Sequence, residues 1–146
     1  MILDTAEYVP ILQELTEEGK EVCLKISGNS MLPFLRNGRD FAFFARPDTP
    51  LEPGQIVFYR RSGGQYVLHR ICRIENGMLY LAGDAQAALE GPVSQDAVFA
   101  RVTRVRRGEK LLTPDTPAWK FFAQVWRRCR LIRPPLTWIY SRLFSR

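Results

Sequence analysis

The middle of the chain alternates short apolar runs with tight-turn sequences, and this pattern restricts the fold more than any other feature. Asn76 and Gly77 stand together between two apolar runs, which is the strongest short-range signal of a two-residue β-hairpin. Many short strands joined by tight turns predict a mainly β, antiparallel, barrel-like domain. The predicted strands cover residues 22–26, 41–45, 55–61, 66–75, 78–82 and 98–107.

Helices are predicted on both sides of these strands. Residues 8, 11, 12 and 15 are apolar at the spacing of one helical face, and Gly19 ends that pattern. Beyond position 115 the chain has no acidic residue, and the apolar residues from 119 to 132 also share one helical face. Two prolines at 134 and 135 break this helix, and a second short one is predicted to follow. We expect a short N-terminal helix at 1–20, a β domain at 21–112 and basic amphipathic helices at 113–146.

The formal net charge of +6 favours an anionic partner, such as lipid headgroups, nucleic acid or an acidic peptide. The first 19 residues are acidic rather than basic, and no uncharged run approaches the ~20 apolar residues that cross a bilayer. We therefore expect a cytoplasmic protein or one that lies on a membrane surface. We expect no metal and no cofactor. Nucleic acid is the least favoured partner, because no recognisable nucleic-acid motif is present.

The C-terminal segment has two interpretations. Residues 119–146 carry basic and aromatic side chains on amphipathic helices, which suits a position in the membrane interface with Trp119, Trp126 and Trp138 at headgroup depth. The alternative is that the apolar face of the first helix packs on the β domain. The sequence leaves both interpretations open.

Three positions have side chains suited to nucleophilic catalysis. Ser30 follows a glycine turn at the exit of a predicted strand, where backbone N–H groups can stabilise an oxyanion. His69 is the only histidine, and an imidazole that titrates near neutral pH suits proton abstraction from a hydroxyl. Asp84 lies in a glycine-acid turn, where a carboxylate can orient that imidazole. Each position also has a structural interpretation, as a turn, a core histidine and a second turn.

In combination, these segments resemble the sequence boxes of signal peptidase I and its relatives in the S24/S26 superfamily of serine peptidases. Residues 27–35 (SGNSMLPFL) resemble the nucleophile box, a serine followed by Met-x-Pro. Residues 66–71 (YVLHRI) are similar to the box with the general base, and residues 82–86 (AGDAQ) to the closing Gly-Asp box. Between the nucleophile box and the general-base box, NGRD at 37–40 and PGQIVF at 53–58 resemble two further family segments. All of these segments occur in the same order as in the family. The base is lysine in bacterial enzymes and histidine in the endoplasmic-reticulum and archaeal type, so His69 indicates the histidine-base type.

The resemblance implies roles for individual residues. Ser30 would be the acylating nucleophile and His69 its base. The supporting acid would be Asp84, with Glu90 as the next candidate and Asp96 as a more distant one. The oxyanion and substrate-binding positions would be Ser27, Gly28 and Met31. Two positions depart from the family pattern: Gly28 stands where some relatives have an oxyanion-donating serine, and Gln55 replaces an acid.

The sequence therefore predicts a serine endopeptidase that cleaves signal or leader peptides through an acyl-enzyme. The resemblance implies a peptide or preprotein substrate with small side chains beside the cleaved bond. One alternative is a catalytically inactive peptide-binding module with the same fold, which the departures at Gly28 and Gln55 favour. A self-cleaving repressor is the least favoured alternative, because that group has a lysine base and a DNA-binding domain ahead of it.

Overall fold

One antiparallel sheet dominates the protein. The computed structural model describes residues 9–128, and this part contains eight strands in the order β1-β2-β7-β3-β4-β5-β6, with β8 paired to β7. The mainly β, antiparallel prediction is confirmed. The sheet is not closed into a barrel, since β1 and β6 are its two ends within the described residues. The strands are β1 (Val22–Lys25), β2 (Phe41–Ala45), β3 (Ile56–Arg60), β4 (Tyr66–Glu75), β5 (Met78–Ala82), β6 (Glu90–Val93), β7 (Val98–Arg107) and β8 (Lys110–Leu112).

The predicted strands agree with the observed ones to within one residue at each end, and the β4–β5 hairpin is the expected one. Asn76 has φ 51° and Gly77 has φ 76°, the two positive values that a type I′ turn requires. Two observed strands have no counterpart in the prediction. β6 contains Gly91 and Pro92, which are disfavoured in strands except at sheet edges, and β8 has only three residues.

The two faces of the sheet bury separate apolar clusters. Side chains along a strand alternate between faces, so Ile56 and Phe58 of β3 enter the larger cluster, whereas Val57 and Tyr59 enter the smaller one. The same alternation separates two consecutive residues of β4 that bear on function. His69 lies on the face of the smaller cluster, beside Val57 on the neighbouring strand. Arg70 lies on the opposite face, with its guanidinium 5.2 Å from the centre of the Phe34 ring.

The loop between β1 and β2 carries the predicted nucleophile and is fixed by burial. Its apolar side chains Met31, Phe34 and Leu35 belong to the larger cluster. The Leu35 amide donates to the Met31 carbonyl at 2.9 Å, which closes a single turn directly after Ser30. The buried carboxylate of Asp40 closes the loop by accepting hydrogen bonds from the backbone amides of Arg36 and Gly108.

Helices lie near both ends of the described part, at α1 (Val9–Glu17) and α2 (Pro117–Gln124). The apolar face of α2 packs on the β domain. Trp119 and Phe122 contact the Phe34 ring at centroid distances of 5.5 and 4.9 Å, and Trp126 is also buried. Gly54 permits this packing, because a Cβ there would lie 2.9 Å from the Ala123 carbonyl oxygen.

This packing decides between the two interpretations of Trp119 and Trp126, which lie in the protein core and not at headgroup depth. Trp138 and the second predicted C-terminal helix lie outside the described residues. From residue 9 to residue 128, the helices are too short or too polar to span a bilayer.

Candidate active site

Ser30 is half-buried in the turn after β1, against the loop that follows β5. The Ala85 amide donates to the Ser30 carbonyl at 2.9 Å, which ties the two loops together. Gly83 makes this approach possible. A Cβ at Gly83 would clash with the Ser30 carbonyl oxygen and lie 3.0 Å from the Ser30 Cβ. Position 83 therefore accepts glycine alone without movement of the serine turn.

The register of β4 and β5 places His69 beside the same glycine. Arg70 pairs with Ala82 and Ile71 pairs with Leu81, so one further step of the antiparallel register sets His69 opposite Gly83. Directly opposite residues project their side chains from the same face, with Cβ atoms ~5 Å apart. Ser30 therefore touches the position where a Gly83 side chain would stand, and a register continued by one residue beyond β5 would place His69 on the same face.

A chain of polar side chains leads away from the other edge of the imidazole. His69 is only 2% exposed, and its Nδ1 lies 3.3 Å from the Tyr59 hydroxyl. The Tyr59 hydroxyl donates to Glu90 Oε1 at 2.7 Å. Arg61 Nε in turn donates to both Glu90 oxygens, at 2.8 and 2.7 Å. A carboxylate thus reaches the imidazole through a phenol and is held by a guanidinium on its far side.

The environment keeps the imidazole and the phenol neutral at physiological pH. Burial lowers the pKa of His69 to about 3, and the positive charge of Arg61 adds to this effect. Burial also raises the pKa of Tyr59, as does its hydrogen bond to Glu90. At neutral pH His69 is therefore an uncharged imidazole that has a lone pair available to accept a proton.

Asp84 lies on the opposite face from His69. Both of its carboxylate oxygens accept from the Arg70 guanidinium at 2.8 Å, and both side chains are completely buried. Arg70 also donates to the Gly54 carbonyl at 2.7 Å, and the Asp84 carbonyl accepts from Trp126 Nε1 at 2.7 Å. The Asp84 side chain therefore joins β4 to the loops before β3 and after β5, and it makes no contact with the polar chain at His69.

The remaining acid candidates differ in their position. Glu90 is the carboxylate that the structure connects to His69, through Tyr59. Asp96 is exposed and lines a different cavity of about 690 Å³, beside α1. The order of the acid candidates is therefore changed, and Glu90 replaces Asp84 as the group associated with the imidazole.

The candidates for oxyanion and substrate binding also differ in what they can contact. The Gly28 amide donates to Asn37 Oδ1 at 3.1 Å, so this N–H group already has an acceptor. Met31 is 1% exposed and fills the larger cluster, where it anchors the serine turn instead of facing a substrate. Ser27 is exposed on the same loop.

An open cavity of about 550 Å³ lies beside His69. Residues with small or apolar side chains line one side of this cavity, and charged residues line the other side. The lining residues are Arg61, His69, Gln86, Ala87, Ala88, Leu89 and Glu90.

Sequence reasoning missed Tyr59 and Arg61. Tyr59 stands in an apolar run that reads as a buried strand, and nothing local marks its hydroxyl as functional. The signal that reveals it is the β3–β4 register, in which Val57 pairs with His69 and Tyr59 therefore lies diagonally across from the imidazole.

Comparison with known families identifies the family of the chain. Residues 2–103 match the family described as Peptidase S24-like, which is more than two thirds of the chain. The chain belongs to the Peptidase S24-like family. This membership supports the S24/S26 resemblance and makes serine-type peptidase the general class of activity. Comparisons with curated proteins and with solved structures gave no match.

The buried Arg70–Asp84 pair gives a prediction about stability. Asp84→Asn leaves the Arg70 charge buried without a full partner, so we expect the free energy of unfolding to fall by about 3–5 kcal/mol. The double variant Arg70→Met/Asp84→Leu removes both charges, and it should recover most of that loss. Urea denaturation measures both effects. Asp48→Asn is the control, because its exposed pair with Arg101 contributes about 0–1 kcal/mol. A double variant as unstable as Asp84→Asn would contradict the structural role of the pair.

The lowered pKa of His69 gives a prediction about pH. An unfolded histidine titrates near 6.5, so between about pH 3 and 6.5 the unfolded state binds more protons than the folded state. The stability from the neutral imidazole is complete above about pH 6.5 and is lost as the pH falls. Relative to His69→Gln, the free energy of unfolding should fall by about 1.4 kcal/mol per pH unit between about pH 6 and 4. The same carboxylates titrate in both proteins, so their contributions cancel in this difference, and His69 is the only histidine in the sequence. Equal slopes for the two proteins would refute the prediction.

Proposed function

We propose that the protein is a serine endopeptidase in which Ser30 is the nucleophile and His69 the general base. The observation that carries the proposal is the position of Gly83, which Ser30 touches directly and which lies one residue beyond the β4–β5 pairing, where a continued register would set it opposite His69. In this mechanism His69 Nε2 takes the Ser30 proton while Oγ attacks the peptide carbonyl. The protonated imidazole then gives its proton to the leaving amine, and water hydrolyses the acyl-enzyme in a second step.

We assign the histidine-base type to this site. The sequence has no lysine between Lys25 and Lys110, so none of the segments that resemble the family boxes contains the alternative base. The imidazole is neutral at physiological pH and has a lone pair available. The absence of lysine from these segments supports His69 as the group that activates the serine.

The proposed substrate is the extended segment of a signal or leader peptide. The cavity beside His69 is lined on one side by Ala87, Ala88 and Leu89, which favours small apolar side chains near the cleaved bond. A membrane surface is the proposed setting. Phe121 and Val125 are exposed on the outer side of the C-terminal helical region, where a lipid interface would accept them, and the net charge is +6.

A catalytically inactive peptide-binding module is the second candidate, and one observation favours it. Gly28 has no hydroxyl at the position where some relatives have an oxyanion-donating serine, and its amide already donates to Asn37. Loss of one such donor costs about 100- to 1000-fold in kcat. A serine-directed acylating probe separates the two functions, because an active peptidase is labelled at Ser30 and an inactive module is not.

Loss of either proposed catalytic group should abolish cleavage. We expect Ser30→Ala and His69→Ala each to lower kcat/KM by at least about 1000-fold on leader peptides of stated sequence. Mass spectrometry of the products gives both the rate and the cut position. Ser62→Ala is the matched control, because it removes an exposed hydroxyl at the β3–β4 turn, away from the proposed catalytic residues, and should retain cleavage. Retained turnover in Ser30→Ala would reject the nucleophile.

Gly83→Ala tests the contact on which the proposal depends. The added Cβ must push the Ser30 backbone away, and a displacement of ~1 Å at a reacting group costs about 100-fold. We therefore expect kcat/KM to fall by at least about 100-fold while the circular dichroism spectrum stays that of the folded protein. Gly63→Ala is the control, since a Cβ there meets no atom within 4 Å. Full activity in Gly83→Ala would contradict the proposed arrangement.

A further inference from the structure

We propose that Tyr59 is a positioning residue that fixes the proton of neutral His69 on Nδ1, and that Glu90 enforces this by accepting the tyrosine proton. The inference about the proton rests on hydrogen-bond geometry alone. Its catalytic meaning rests on the proposed function, because only a peptidase with His69 as base needs Nε2 to be unprotonated.

The argument follows from the number of protons available. A phenol has one proton, and Tyr59 gives it to Glu90 at 2.7 Å, the shorter of its two contacts. Both oxygens of the Glu90 carboxylate also accept a hydrogen bond from Arg61 Nε. In its hydrogen bonds to Tyr59 and Arg61, Glu90 is therefore only an acceptor. The Tyr59 oxygen can then only accept from the ring nitrogen 3.3 Å away. Nδ1 must therefore carry the single proton of the neutral imidazole, and Nε2 keeps its lone pair.

This arrangement differs from a carboxylate that contacts histidine directly. A direct ion pair would favour the charged imidazole, whereas the neutral phenol keeps the negative charge of Glu90 one side chain away. When His69 takes a proton from Ser30, the Nε2–H bond forms and the Oγ–H bond breaks, while Oγ bonds to the peptide carbonyl carbon and the C=O π pair moves to the oxygen. The Nδ1 proton and the Tyr59 proton stay where they are, and the polarised phenol accepts a stronger hydrogen bond from the imidazolium.

The alternative carboxylate cannot perform this role in the described structure. Both oxygens of Asp84 are occupied by Arg70 on the opposite face of β4. Arg61 and Glu90 also stand between two cavities, since both line the cavity at His69 and a second one of about 480 Å³ at the β3–β4 turn. Through Glu90, the pair therefore binds the Tyr59 hydroxyl from the cavity side, and neither Arg61 nor Glu90 is part of the smaller apolar cluster.

The test reads the position of one proton. His69 is the only histidine, so ¹⁵N-edited spectra of the uniformly labelled full chain contain a single imidazole. Wild type should show the Nδ1–H tautomer. Tyr59→Phe keeps the ring and removes the hydroxyl, and an Nε2–H population should appear. Tyr80→Phe makes the same chemical change on β5 and should leave the wild-type tautomer.

Two changes at Glu90 provide an independent readout. Glu90→Gln keeps an oxygen that accepts the Tyr59 proton, so the Nδ1–H tautomer should persist. Glu90→Leu removes the acceptor, which frees the phenol to donate to Nδ1 and shifts the proton of His69 to Nε2. In a peptidase assay, Tyr59→Phe and Glu90→Leu should lower kcat by about 10- to 1000-fold with little change in KM, because a misplaced proton disables the base.

The outcomes separate this inference from the proposed function. A pure Nδ1–H tautomer in both Tyr59→Phe and Glu90→Leu would overturn the positioning role. The same conclusion follows if cleavage depends on Ser30 and His69 but neither the tautomer nor kcat responds to Tyr59→Phe. If the tautomers change as described in a protein that cleaves no peptide, the positioning role stands and the peptidase function is rejected.

Discussion

The buried ion pair between Arg70 and Asp84 determines where the loops of the site can lie. Two charges without solvent exposure are tolerated only with complete hydrogen bonding, and here the guanidinium and the carboxylate satisfy each other in a bidentate contact. The pair fixes the loop after β5, and this loop brings Gly83 against Ser30. The geometry of the candidate nucleophile therefore depends on charges that lie on the other face of the sheet.

Much of the fold could be predicted from sequence, for a clear physical reason. Strands such as β4 and β5 are bounded by strong turn signals, and the Asn76-Gly77 turn sets their register without long-range information. The strand at Glu90–Val93 could not be predicted, since Gly and Pro contradict local β propensity and the strand depends on non-local pairing with β5 and on the contacts of Glu90 with Tyr59 and Arg61. Whether the apolar face of α2 met lipid or protein depended on the close approach at Gly54, which local periodicity does not encode.

The site shows where sequence order and spatial order diverge. Reasoning from linear boxes identified Ser30 and His69 as candidates and ranked Asp84 as their acid, because it matches the closing Gly-Asp box. Residues 69 and 70 point to opposite faces, however, so the aspartate that pairs with Arg70 is separated from His69 by the sheet itself. The carboxylate on the correct face arrives from an edge strand through Tyr59, a contact that requires knowledge of strand register.

The edge strand that supplies Glu90 also affects self-association. Pro92 has no N–H group, so the outermost strand lacks a donor that another chain would need to extend the sheet. Exposed strand edges in soluble proteins invite fibril-like stacking, and a proline is one of the common means of preventing it. Within the described residues, the same short segment thus delivers a carboxylate inward to Tyr59 and, at Pro92, lacks an N–H group that pairing with a neighbouring copy would use.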